Sequence, residues 1–380
     1  MGAERGIDAG TGMAARAGAG GKEGAVARAG AEANEAAEAR AGAEAGGRAA
    51  VRGGRRPALR ALAVVLAALV IQSAMVATYA WSAARLAPRH VPIAVAGPAV
   101  AVSELVTALN RQYPGAFDLA PAASEDAARR AITTRGAYGA IIVGAPAPRV
   151  LIASAASPEV AQVLTAAADH LAGVKSPVTD VVPGDPHDPY GAAFGFSLLP
   201  LVITSIVAGV MLSLLVASGP LRLAGLVAFA LAGGAVTAAI MRTWLSILPA
   251  RYVAVGAVTA LVILAISAGV AGLGAVARRA GRAGRMGPGL ALGAAAIMLL
   301  GNPFSGTTSA PEMLPRPWGE IGQWLPPGAG ATLLRSVSYF DGARSGGAWT
   351  VLGIWAAAGL ALVLAGHAAR PAASIRRHGI

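Results

Sequence analysis

Uncharged apolar stretches alternate with short arginine-bearing segments over most of this chain, and the alternation predicts its elements. The first stretch, "ALRALAVVLAALVIQSAMVATYAW" (58–81), carries no charge after Arg60 and ends in Tyr79 and Trp81, placed as interfacial anchors are. Four more lie at 192–217, 223–241, 252–277 and 349–367, each near the ~20 residues that cross ~30 Å of hydrocarbon. A sixth, "GPGLALGAAAIMLLG" (287–301), is shorter. Between the first two the period changes. "HVPIAVAG" (90–97), "AFDLAPA" (116–122), "YGAIIVGA" (138–145) and "RVLIASAA" (149–156) read as strands. "AVAVSELVTALNRQY" (99–113), "SEDAARRAITTR" (124–135) and "SPEVAQVLTAAADHLAG" (157–173) read as helices, with Ser124 and Ser157 as N-caps, Pro158 at a first helical position and Gly173 at an end. The fold class is therefore an α-helical polytopic membrane protein with a small α/β domain, residues 82–191, inserted between helices 1 and 2.

Arginine placement gives the orientation. Arg52, Arg55, Arg56 and Arg60 flank the start of the first span, Arg278, Arg279, Arg282 and Arg285 crowd the loop 277–287, and Arg370, Arg376 and Arg377 fill the tail. All three regions are expected on the cytoplasmic side. An even number of crossings then joins them, so 287–301 counts as a span and the total is six. Both termini face the cytoplasm, the tail 368–380 included, and 82–191 and 302–348 face outward from the cytoplasmic membrane.

Composition supports this. The chain is 55% hydrophobic and 13% charged, with a mean hydropathy of +0.60, too little polar surface to cover a soluble globule. Its net charge of +12 comes almost wholly from arginine at the ends of apolar runs, which suits a lipid bilayer rather than nucleic acid. There is no cysteine, which excludes disulfides and thiolate chemistry. Residues 1–57 are Ala, Gly, Glu and Arg and are expected to be a disordered cytoplasmic tail, with 31–46 transiently helical. The abundance of Ala and Gly is read as coding bias, so small-residue spacing carries no weight.

Candidate chemistry is sparse. Asp180, Asp185, His187 and Asp188 cluster just before the second span, but Pro183, Pro186 and Pro189 hold that stretch extended. It reads as a solvated joint, with Tyr190 and Phe194 marking the membrane interface. No charge lies inside the spans except arginines and His367 at their margins, which disfavours pumps, ion-coupled carriers and intramembrane proteases. "GAGGKEG" (18–24) lacks the Ser/Thr of a phosphate loop and no strand precedes it, so no cofactor, metal or nucleotide site is expected and the chain is read as no enzyme. The segment 302–348 holds two tryptophans, paired prolines and "GATLLRSVSYF", which predicts surface or re-entrant helices capping the outer mouth of the bundle; packing on the α/β domain is the other reading. Pro200 is the candidate hinge, and Glu312, Pro315, Trp318, Trp324 and Arg335 are the candidate outer gate.

One span, a large insert, then five spans with an irregular proline-rich stretch before the last resembles the ABC-2-type permease superfamily, in particular its phage-infection-protein-like group. The resemblance rests on "VPIAVAGPAVAVSELVTALN" (91–110), "AARRAITTRGAYGAIIV" (127–143), "LIASAASPEVAQVL" (151–164), "DVVPGDPHDPYGAAFGFSLLPLVI" (180–203), "GNPFSG" (301–306), "EMLPRPWGEIGQWLPPGAGATLLRSVSYFDG" (312–342) and Trp349. It covers about 60–370, in overall order more than in any single motif. It implies a permease subunit, paired as a homodimer or with a related permease, exporting a hydrophobic or amphipathic substrate under the drive of a separate ABC ATPase. The short loop "ASGPLR" (217–222) departs from the longer cytoplasmic loop such permeases offer an ATPase. A non-transporting surface protein whose α/β domain binds a partner is the alternative.

Overall fold

The computed structural model describes residues 12–144, 147–279 and 287–368, with the side chains of 12–29, 31, 43–58 and 367–368 left aside. The arginines at 282, 285, 370, 376 and 377 used for orientation lie outside the described residues. The chain divides into two compact units, Met1–Ser73 and Ala74–Ile380. Helix α1 (Gly12–Ala84) begins far earlier than expected, so residues 12–57 are helical rather than unordered. Ala, Glu and Arg are strong helix formers and suffice for the backbone. Residues 32–42 are nonetheless exposed, as a segment without an apolar stripe must be.

The strands and helices read between the first two spans form with shifts of a few residues at most. They are β1 (Val91–Ala96), α2 (Ala99–Gln112), β2 (Phe117–Pro121), α3 (Glu125–Thr133), β3 (Gly139–Ile142), β4 (Arg149–Ile152) and α4 (Pro158–Ala172). The Ser124 and Ser157 hydroxyls accept from the backbone N–H of Ala127 and Val160, and Gly173 closes α4 in the left-handed conformation at φ 67°. A short strand, β5 (Val178–Asp180), was not read; three residues beside two prolines give no alternation to see. The sheet has the order β2-β1-β3-β4-β5. Only the β3–β4 pair is antiparallel, with Ile141 opposite Val150, so the sheet is mixed. Val91, Ile93, Ile141 and Val150 pack with Leu109 of α2 and Leu164 of α4 on one face. Ala94, Ile142 and Leu151 pack with Ile132 of α3 on the other.

The remainder is mostly helical. It comprises α5 (Ala192–Leu215), α6 (Gly219–Ala238) continued by a π-helical turn to Trp244, α7 (Tyr252–Arg279), α8 (Gly287–Ala296) with a π-helical turn to Gly301, α9 (Trp318–Gln323), α10 (Pro326–Tyr339) and α11 (Gly346–Ala368). Among the described residues, five helical stretches, Leu59–Ala84, Ala192–Leu215, Gly219–Trp244, Tyr252–Arg279 and Gly346–Gly366, are long and apolar enough to cross a membrane; Gly287–Gly301 is shorter. This is the make-up of a polytopic membrane protein. Arg222 falls inside α6 and is buried, its guanidinium donating to the carbonyls of Leu212, Ser213 and Val216. It thereby satisfies acceptors left open by the end of α5.

α7 is the central helix. Its most apolar window is 67% buried, against 39%, 22% and 28% for those of α5, the α6 stretch and α11. Glycine makes this possible. A Cβ on Gly209 of α5, Gly234 of α6, Gly289 of α8 or Gly359 of α11 would come within 3 Å of α7 backbone. Glycines dismissed as coding bias thus sit where helices touch main chain to main chain, as they do when lipid supplies no hydrophobic drive between helices.

Gly359→Ala should destabilise the bundle by about 1–3 kcal/mol through overpacking against Ala268 and Gly269. Gly353→Ala, whose Cβ meets open space, should leave it unchanged or firmer. Thermal unfolding of the two variants in detergent checks the contrast.

Candidate functional site

Between the last residue of the α8 stretch and α11, the chain folds into a compact knot that touches both the sheet and the helices. α10 contributes Ala329, Ala331, Leu333 and Leu334 to the core of the bundle, and Gly330 rests against Val262 of α7. In the same segment Ala310 and Met313 join one face of the α/β core, and Phe340 joins the other. The segment 302–348 thus packs on the α/β domain, as one of its two readings had it, and also contributes to the core of the bundle.

Polar groups register the two halves. Glu312 Oε2 accepts from the Tyr138 hydroxyl at 2.8 Å. Burial pushes the Tyr138 phenol up, and the neighbouring Glu312 carboxylate adds to it, so the phenol stays a neutral donor. Arg89 donates to the Met313 carbonyl at 2.7 Å, and Arg135 donates to the Thr332 carbonyl at 3.0 Å while its guanidinium lies 5.3 Å from the Phe340 ring centroid. Burial also draws the Arg135 guanidinium down from its ordinary value.

Arg335 is the buried charge of the knot, 6% exposed on α10. Its guanidinium donates to the Thr307 carbonyl at 2.9 Å and lies 4.9 Å from the centroid of Phe194, the third residue of α5. Arginine suits this place because a planar cation can hydrogen-bond at its edge and stack on an aromatic face together. Trp318 stacks on Phe304 at 5.0 Å, and Phe304 meets Trp81 edge-on at 6.0 Å. Trp324 is 72% exposed, and its carbonyl accepts from Trp355 Nε1 of α11. Pro315 is buried and its carbonyl accepts from Trp318 N–H. Pro200 lies inside α5, apart from these residues, exposed and with its carbonyl accepting from the Thr204 hydroxyl. The segment residues singled out by sequence are thus spread over one folded knot, while the hinge candidate is elsewhere.

The acidic and histidine stretch is mostly exposed or half-buried, as a solvated joint would be, with one exception that the sequence did not show: Asp188 caps a helix. Asp188 is buried, its carboxylate accepting from the N–H of Ala193 and Phe194 at 3.0 and 2.8 Å, which caps α5. Asp185 accepts from the N–H and Nδ1 of exposed His187, and Asp180 accepts from the Ser154 hydroxyl. Phe194 is buried under Arg335 rather than placed at an interface; Tyr190 is exposed. Among the described residues no group of three or more His, Cys, Asp or Glu could hold a metal ion.

A cavity of about 590 Å³ opens where the α3–β3 turn faces the knot. Arg89, Arg135, Arg316 and Arg344 line it against two carboxylates, Glu312 and Glu320. Of these only Glu312 was singled out by sequence. Arg135 is followed by glycine in "TRGA" and Arg344 lies two residues from glycine in "ARSG", and each reads as an ordinary solvated turn. Comparison with protein-family models, with curated proteins and with solved structures finds no match.

Arg335→Ala should lower stability by about 2–3 kcal/mol, since it strands a buried carbonyl and removes the cation over Phe194. Arg316→Ala, an exposed side chain, should change it by less than about 0.5 kcal/mol. Thermal unfolding in detergent separates the two.

Proposed function

We propose that this chain is a membrane-spanning permease subunit of the ABC-2 type, moving a hydrophobic or amphipathic substrate across the cytoplasmic membrane under the drive of a separate ATPase. Two such subunits, identical or related, stand side by side. Six crossings put both termini in the cytoplasm and the α/β domain outside. The sixth crossing is the stretch 287–301, extended at its outer end by the knot that follows it. Along α7 the contacts descend from Leu273 at Gly289 to Val270 at Gly293, and Gly301 meets Leu325 and Pro327 at the start of α10.

The observation that carries this reading is the wedging of α10 between α7 and the α/β domain. A domain merely tethered to the membrane needs one span and no shared core. Here movement of the helices would be felt at Tyr138, Arg135 and Phe340 through Glu312, Thr332 and the end of α10. Such coupling suits a transporter whose outer parts open and close with its spans.

One observation favours the second reading, a non-transporting multi-span protein whose α/β domain binds an outside partner. Only Val216, Ala217 and Ser218 join α5 to α6, and Arg222 ties that connection down. An ATPase finds no helix there to push against.

Gentle detergent extraction from the native membrane, followed by affinity purification and mass spectrometry, should recover an ATP-binding ABC subunit in near-equal amount. That assembly in proteoliposomes should export an amphipathic dye in an ATP-dependent way. Recovery of the chain without any ATPase, and dye fluxes equal with and without ATP, would decide for the second reading.

A further inference from the structure

We infer that the cavity between the α3–β3 turn and the 302–345 knot is a binding site for an amphiphile with an oxyanion head, an anionic phospholipid being the chemistry it fits. The site stands whether or not the chain transports.

The charge of the lining points to the head. Four guanidinium groups face two carboxylates, and one carboxylate, Glu312, is already engaged by the Tyr138 hydroxyl. Arg89 spends its donors on the carbonyls of Arg85, Ala87 and Met313. Arg316 and Arg344 have no hydrogen-bond acceptor and no ion-pair partner among the described residues. Arg344 reaches the Gly136 side of the turn, so close that a Cβ on Gly136 would lie 3.4 Å from its Nη2. Two like charges, Arg135 and Arg344, thus share one end of a concave space. A phosphate between them would accept from both and remove their mutual repulsion.

The apolar part of the lining points to the chain. Leu314 and Trp324 border the cavity, and Trp324 is 72% exposed. The Trp324 carbonyl is held by Trp355 of α11, a helix of membrane-crossing length whose Ile354 is 61% exposed. An apolar chain leaving the cavity past Trp324 therefore runs onto an apolar helix surface instead of into water. A cavity of about 590 Å³ takes a headgroup with the first part of its chains, not a whole lipid.

The test uses the full chain in a non-ionic detergent, with short-chain phosphatidylglycerol, short-chain phosphatidylcholine or inorganic phosphate added in separate arms. Native mass spectrometry counts the adducts and thermal unfolding follows occupancy. Phosphatidylglycerol should bind saturably, one per chain, and raise the unfolding temperature, with phosphatidylcholine weaker by about tenfold or more. Phosphate alone should give no shift at matched concentration. Arg344→Gln and Arg316→Gln should each weaken phosphatidylglycerol binding by about tenfold while leaving the ligand-free unfolding temperature unchanged, because neither side chain holds the fold. Arg149→Gln, outside the cavity, should bind as the parent does. Equal binding of both lipids, a phosphate effect equal to that of phosphatidylglycerol, or parental binding by both arginine variants would each overturn the site.

Discussion

A guanidinium buried among helices must find acceptors, and the way Arg335 finds them organises the joint between the α/β domain and the spans. Its edge takes the Thr307 carbonyl and its face takes the Phe194 ring, so three separate stretches of chain meet at one cation. Phe194 is also where Asp188 caps α5, which binds the exit of the α/β domain to the same point. A guanidinium without acceptors at such a depth would be too costly to keep, so the same cation holds α10, the 302–309 turn and the first turn of α5 to one another.

Around that joint the helices obey a different rule. Lipid is as apolar as a leucine side chain, so apolar burial alone draws helices together only weakly. α7 is surrounded because glycines on its neighbours let backbones meet, and dispersion contacts at short range do what area burial does in water. The α/β domain works in the familiar way, with Ile93, Ile141, Val150 and Leu164 shut away from solvent on one face of the sheet. The knot at 302–345 is where the two kinds of packing are spliced, with Met313 and Phe340 in the water-built core and Leu333 and Leu334 in the bundle.

Much of this was legible from residue order. Period-two runs placed four strands, Ser124 and Ser157 announced their helices, and uncharged length announced the spans, because those signals are local. The full helical extent of 12–57 was not, since the segment has no apolar stripe to bury and only 31–46 was read as helical, although its Ala, Glu and Arg favour a helical backbone throughout. Nor was the role of Asp188, which looks like any acidic residue beside proline until the N–H groups of α5 are seen to end on it. The cavity was the least legible feature. Arg89, Arg135, Arg316 and Arg344 come from four distant turns, and only the folding of the knot against the α3–β3 turn brings them to one space.

The measurement closest to the centre of this account is the accessibility of α10. The chain has no cysteine, so single cysteines report without background. In native membranes opened to both sides, a charged maleimide should label Val174→Cys, 54% exposed on the α/β domain, within minutes, and should leave Ala331→Cys, fully buried on α10, unlabelled until the protein is unfolded. Labelling of Ala331→Cys as fast as Val174→Cys would mean that α10 lies loose at the surface, and the joint built on Arg335 would not exist.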